Sequence, residues 1–480
     1  MALAQLPQGL KLMSFEMNYQ GDLFNSMGLG SYNPVSMRVS VSKTNDEKRV
    51  GDNKLSQLND FDCTTLFHEY IHHLQNVSTI TGLQHHDLQI SMWHNARCYI
   101  FDKSHKKDDA PVSKKLALDA MHKTFEYRNS NKNILNSKDT LILKKIENLS
   151  LLISAMSGTN GTVDFNPVKL SFIQGGNVVS VNFGIFEFQE SAANYLEGVF
   201  CEKILQPPDR FLVDNVPYKI IHALKLHYAP NSDNEALLPI ILTALQSTVP
   251  HKMFIYLLYS LIAREKSKCT CKEICYCDKK LDVREECEVY ARKLISLQDV
   301  WVEKVRNQIF DGFPKEDVNF GDILKKITNS IISKVEKRKS NPFIEIDFLK
   351  KINHLNFRDE FYHFISENGG CGYYLTDSFS GNDTFLEPNI VGEKVVFNYN
   401  NIGWLTFEAA FHYTKLHYFY DSNNNIELKT PTTIGKCPLE CYCDHKNRLP
   451  HNCTPQETSS LIENENCAYQ LAIIKTQLCY

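Results

Sequence analysis

No stretch of this 480-residue chain approaches the roughly 20 consecutive apolar residues that a membrane-spanning helix requires. The densest run, Met253 to Ala263, is too short and carries Tyr256, Tyr259 and Ser260. An excess of charge of one sign is also missing. The 52 Lys and Arg face 56 Asp and Glu, a formal net charge of −4, so no global field draws nucleic acid or an anionic membrane. Residues Met1 to Phe15 lack a continuous apolar segment and do not read as a secretory signal. These absences lead us to expect a cytoplasmic protein with neither a membrane span nor a nucleic-acid partner. They leave open what it does bind.

What is present is an ordinary globular composition, 43% hydrophobic and 22% charged, in a chain long enough for two to three domains. Periodicity predicts a short strand over Val35 to Ser42, then helices over Leu83 to Phe101, Ser113 to Tyr127 and Ser137 to Met156. Val168 to Phe172 and Val178 to Phe183 alternate at period two around Gln174-Gly175-Gly176-Asn177, a hairpin signal. Helical patterns return from Glu187 and dominate as far as Lys339, then recur at Asp359 to Glu367 and Leu405 to Phe419, with a strand expected at Lys394 to Asn398. The cations Lys334, Lys337, Arg338 and Lys339 read as a solvated helix end. The expected class is α+β, predominantly helical, with a small sheet. The expected divisions are a catalytic region over 1–266, a cysteine-rich insert over 267–287, a mainly helical region over 288–435 and a cysteine-rich tail over 436–480.

One segment stands apart. Asp62 to Gln75 has Leu66, Phe67, Tyr70, Ile71 and Leu74 at helical spacing, with Asp62 as the expected N-cap. Inside it lies His-Glu-x-x-His: His68, Glu69 and His72. Two histidines four apart on a helix project from one face and can share a metal ion, while Glu69 stands beside the position of an activated water. The pattern resembles the zincin metallopeptidases, whose motif His68, Glu69 and His72 match position by position. The resemblance implies a zincin-like core, a catalytic zinc ion and Glu69 as the general base.

A catalytic zinc site needs a third protein ligand. The branch with a close third His requires Gly and His where this chain has Gln75 and Ser78. His85 and His86 remain candidates, but the stronger one is Glu190, in a helical segment that begins near Phe186. Glu190 and Asn194, four apart, share a face, and the small Ala193 allows close helix approach. This is similar to the gluzincin arrangement, in which a Glu on a second helix completes the site and a polar residue four later hydrogen-bonds a metal-bound His. By that resemblance Glu190 is the third ligand and Asn194 the partner of a histidine, where thermolysin-type members carry Asp. Glu187 and Glu197 are rivals on the same helix.

The cysteines carry a second pattern. Cys271-x-x-x-Cys275-Tyr276-Cys277-Asp278 and Cys437-x-x-x-Cys441-Tyr442-Cys443-Asp444 repeat the same spacing, flanked by Cys269, Cys287, Cys453 and Cys467. Dense thiolates on short segments suit one or two structural zinc sites. The candidate ligands are Cys269, Cys271, Cys275, Cys277, Cys437, Cys441, Cys443 and Cys453; disulfides, free thiols or an iron–sulfur centre are the alternatives.

The expected function is therefore that of a zinc-dependent endopeptidase acting on protein or peptide substrates. His222, His227, Tyr228 and His251 are candidate donors to the developing oxyanion. The rival is a non-catalytic, zinc-stapled interaction module, and Glu69 discriminates, because a purely structural site has no use for a carboxylate beside an open position.

Overall fold

The computed structural model describes residues 30–33, 38–43, 55, 58–108, 110–127, 141–157, 166–205, 217–230, 232–263, 283–312, 318–368, 372–377, 383–386, 402–420, 426–429 and 467–477. In chain order these form β1 (Gly30–Asn33), β2 (Arg38–Lys43), α1 (Asp60–Ser78), α2 (Ile80–Ser104), α3 (Ala110–Tyr127), β3 (Ile142–Ile146), α4 (Leu149–Ser157), β4 (Val168–Gln174), β5 (Asn177–Phe183) and α5 (Ile185–Ile204). There follow α6 (Ile220–Tyr228), α7 (Leu238–Ala244), α8 (Pro250–Leu258), α9 (Val283–Ile295), α10 (Gln298–Gly312), α11 (Val318–Ser340), α12 (Ile344–Lys351) and α13 (Phe357–Asn368). The last elements are β6 (Gly372–Asp377), β7 (Asp383–Leu386), α14 (Ile402–Lys415), β8 (Tyr418–Tyr420), β9 (Ile426–Leu428) and α15 (Ala468–Gln477). The class is α+β and mostly helical. No described helix is long and apolar enough to cross a membrane.

Among the described residues, three small sheets interrupt the helices. One has the order β1-β2-β6-β7, and within it β2 pairs in parallel with β6, Arg38 opposite Gly372 through to Lys43 opposite Asp377. Helix α1 packs on β1 and β2, whose Val39 and Val41 are fully buried. The second sheet is antiparallel, β3-β4-β5. Its β4–β5 hairpin turns through Gly175 and Gly176, both at positive φ (53° and 82°), a conformation that glycine adopts without strain and that suits a two-residue hairpin. Strand β5 runs directly into α5. The helix expected over 137–156 is corrected: Leu143 and Ile146 are buried in a strand paired with β4, and only residues from Leu149 turn helical, after Asn148 at φ 56°. The strand expected at 394–398 lies outside the described residues.

Helix α1 is capped by Asn59, whose side-chain oxygen accepts from Asp62 N at 2.7 Å. Asp62, expected as the cap, instead sits inside the first turn and is buried. The chain breaks between α1 and α2 at Thr79, which caps both helices: its hydroxyl donates to Gln75 O at 2.6 Å and accepts from Gly82 N at 3.1 Å. Gly82 is obligatory here, since a Cβ at that position would meet Gln75 O at 1.9 Å.

Among the described residues, two clusters of buried hydrophobic side chains form the core. The first surrounds α1 and α5, where Phe67 stacks on Phe200 at 4.4 Å between ring centres and both contact Phe348 and Phe361. Such aromatic pairs add about 0.5–1.5 kcal/mol each beyond the area they bury. The second lies around α2, with Trp93 stacked on Phe411. The end of α1 is tied down by polar contacts. Arg338 forks onto both oxygens of Glu345 at 2.6 Å and donates to Ser78 Oγ at 2.9 Å, while Gln298 donates to Ser78 O at 2.8 Å. The reading of Lys334 and Arg338 as a solvated helix end is therefore corrected. Both are buried, because α11 lays that face against α1.

Candidate metal centre

The apolar stripe of α1 fixes which of its faces points toward α5. Leu66, Phe67, Tyr70, Ile71 and Leu74 are buried in the first cluster, and this leaves His68 and His72 directed to the crossing with α5. At that crossing α5 presents Ala192 and Ala193, both fully buried, and Glu190 beside them. Small side chains let the helices approach until one carboxylate meets two imidazoles.

His68 Nε2 lies 3.1 Å from His72 Nε2, Glu190 Oε2 lies 3.3 Å from His72 Nε2, and Glu190 Oε2 lies 3.8 Å from His68 Nε2. A tetrahedral zinc ion bound at 2.0–2.1 Å would separate its ligand atoms by roughly 3.3 Å, so the triangle has about the right size for one face of such a shell. Among the described residues these three form the one group whose ligand atoms are mutually within 4.8 Å. His85 and His86 do not join it: His85 Nε2 pairs with Gln89 at 3.2 Å, and both residues are buried along α2.

Both histidines are oriented from behind. His68 Nδ1 meets Glu197 Oε2 at 2.9 Å, and His72 Nδ1 meets Gln75 Oε1 at 3.1 Å. The role expected of Asn194 is thus filled by other residues. Asn194 is buried on α5, but the carboxylate that reaches His68 comes from Glu197, seven residues after Glu190 and so back on its face after two turns. Glu187 serves the helix itself, where its Oε2 accepts from Gly184 N at 3.0 Å and closes the first turn of α5.

The site is charged and largely buried. Burial disfavours a proton on His68, but hydrogen bonding to Glu190 and Glu197 outweighs it and holds the pKa well above the ordinary value. His72 is raised too, burial being overcome chiefly by Glu190. Glu190 runs the other way, since His72 and His68 overcome its burial and keep it ionised far below the usual carboxylate range. Glu69, next to both rings, is pushed by burial up to about 7 against the pull of His68 and His72.

Sequence reasoning missed Tyr218. Its ring stands 6.0 Å from that of His68, and the charge of Glu190, then burial, then Glu69 and Glu197 raise its hydroxyl pKa well above 10, so the phenol keeps its proton. Ser191 fixes it there, donating to Tyr218 O at 2.9 Å and accepting from Ile221 N at 2.8 Å. The four donors expected from sequence have other neighbours. His222 packs on Tyr195, His227 on Tyr228, and His251 Nε2 lies 3.2 Å from Asn166 O.

All eight candidate cysteine ligands, Cys269, Cys271, Cys275, Cys277, Cys437, Cys441, Cys443 and Cys453, lie outside the described residues. Cys287, beyond the first motif, is a buried thiol whose pKa burial raises to about 12. Comparison with family models, with curated proteins and with solved structures returns no match.

Proposed function

We propose that this chain is a zinc-dependent endopeptidase with a gluzincin-like centre, in which His68, His72 and Glu190 hold the ion. The observation that carries the reading is the ligand triangle, with sides of 3.1, 3.3 and 3.8 Å, assembled from two helices far apart in sequence and flanked by Glu69. The donor set, two imidazoles and one carboxylate, is one that suits a zinc ion with a position left open. When bound, the ion supplies Lewis acidity to the substrate carbonyl and makes water a better nucleophile.

The remaining work falls to the protein. Glu69 takes the proton of the attacking water on a carboxylate oxygen and returns it to the departing amine nitrogen. Tyr218 offers a phenolic hydrogen to the oxygen that gains charge, from a ring held by Ser191. Glu197 and Gln75 keep the two imidazoles turned inward. Strand β5 pairs with β4 on one side and with no strand on the other among the described residues, which supports an extended protein or peptide substrate lying along that edge. The cytoplasm is proposed as its place of action, because cysteines clustered at this spacing suit metal or reduced thiols better than a disulfide framework.

The test is digestion of a peptide mixture by the zinc-loaded protein, with new termini read by mass spectrometry. Wild type is expected to cleave, and Glu69→Gln to bind zinc without cleaving. Cleavage that persists in Glu69→Gln at full zinc occupancy, or no cleavage by the zinc-loaded wild type, contradicts the reading.

A further inference from the structure

One side chain of α1 bonds both to a ring of the ligand triangle and to the backbone beside its carboxylate. Gln75, one turn after His72 on α1, places Oε1 3.1 Å from His72 Nδ1 and donates from Nε2 to the main-chain carbonyl of Gln189 at 3.3 Å. Gln189 is the residue immediately before Glu190. Gln75 is 3% exposed, so water competes weakly for either end of its amide.

The carbonyl fixes the rest by elimination. A carbonyl oxygen only accepts, so the amide end that faces Gln189 is the NH2 group and the end that faces His72 is the oxygen. That oxygen also only accepts, so Nδ1 of His72 carries a hydrogen. In the neutral ring the lone pair then resides on Nε2, the nitrogen turned toward His68 and Glu190.

We propose that Gln75 is a positioning residue for a divalent cation at this centre: it selects the tautomer of His72 and, through the same amide, ties the backbone at Glu190 to that ring. This rests on the reading of the site as a zinc centre. The choice of side chain follows from the two bonds. Glutamate can accept from Nδ1 but cannot donate to Gln189, and it would add a fourth carboxylate to Glu69, Glu190 and Glu197. Leucine, similar in size, does neither. His68 thus has a charged partner in Glu197 and His72 a neutral one, and the pair orients both rings while adding one negative charge instead of two.

The test uses the full chain, with zinc affinity measured by chelator competition and the ring nitrogens of 15N-labelled histidine observed in the zinc-loaded protein. The zinc followed is the ion lost in His72→Ala. Gln75→Leu is expected to weaken it about 10- to 100-fold. Because the ring keeps its Nδ1 hydrogen but loses the acceptor, the Nδ1–H proton signal of His72 is expected to move upfield and to exchange faster with water. Gln75→Glu is expected to keep that proton hydrogen-bonded and to lose less affinity. Unchanged affinity and an unchanged His72 signal in Gln75→Leu overturn the proposal. An equal loss in both variants, matched by an equal fall in the melting temperature of the zinc-free protein, overturns it as well, because it marks a packing role. A zinc content equal to that of wild type in both His68→Ala and His72→Ala removes the zinc reading itself, and this inference with it.

Discussion

Glu197 Oε2 stands 2.9 Å from Nδ1 of His68, although 129 residues separate the two in sequence. The contact gives the first His of the motif an anionic partner on the side away from Glu190. A carboxylate there fixes the ring and raises its strength as a donor.

Replacing that partner is expected to cost zinc affinity. Glu197→Ala should lower it about 10- to 100-fold and Glu197→Gln by less, since the amide still accepts from Nδ1. Asn194→Ala should leave affinity near wild type. Chelator competition measures all three, and a larger loss in Asn194→Ala than in Glu197→Ala would reverse the assignment.

The two glutamates at the start of α5 should separate by readout. Glu187→Ala removes the bond to Gly184 N and is expected to cost about 1 kcal/mol of stability with zinc content unchanged. Glu190→Ala is expected to lose the ion. Urea melts and metal analysis on both proteins check this, and zinc lost in Glu187→Ala but retained in Glu190→Ala would contradict it.

The buried pair Arg338 and Glu345 anchors the end of α1. Arg338→Met leaves Glu345 as an uncompensated buried charge and is expected to cost about 3–5 kcal/mol. Arg338→Met combined with Glu345→Leu should recover much of that. A double variant as unstable as the single one would show that the bond to Ser78, and not the charge pair, is what matters.

Acid should destabilise the fold from a definite pH. His86, His412 and His417 are each held at about 4, against an ordinary 6.5, mainly by burial. Between those values these three rings are protonated in the unfolded chain and not in the folded one, so the stability they contribute is full above about pH 6.5 and falls as pH drops toward 4. Each group contributes on the order of 3 kcal/mol to that loss. In the zinc-free protein the loss is opposed by His68, His72 and Glu69, whose raised values favour the folded chain in acid. Urea midpoints at pH 7.5, 6 and 5 are expected to fall in that order, and the slope should lessen in His86→Asn. Midpoints that stay level across that range would contradict these shifts.

Much of the centre was legible because its signals are local. His68, Glu69 and His72 sit on one stripe of one helix, and Glu190 could be named because a second helix needed a carboxylate on its contact face. Glu197 escapes a search at a spacing of four, whereas seven residues return nearly to the same direction. Tyr218 carries no local mark, since it reaches His68 only because Ser191 captures the chain ahead of α6. The same limit hid β3, whose strand character depends on pairing with β4, and the parallel contact of β2 with β6, whose residues are far apart in sequence. Arg338 looked solvated because Glu345 approaches it only after the chain turns at Asn341 and Pro342.

The most direct measurement is an anomalous difference map at the zinc edge from crystals of the zinc-loaded protein. The account predicts a peak between α1 and α5, about 2.0–2.2 Å from Nε2 of His68, Nε2 of His72 and one carboxylate oxygen of Glu190. A peak absent from that place, or one there with Glu190 turned away and another side chain in its stead, would contradict the account.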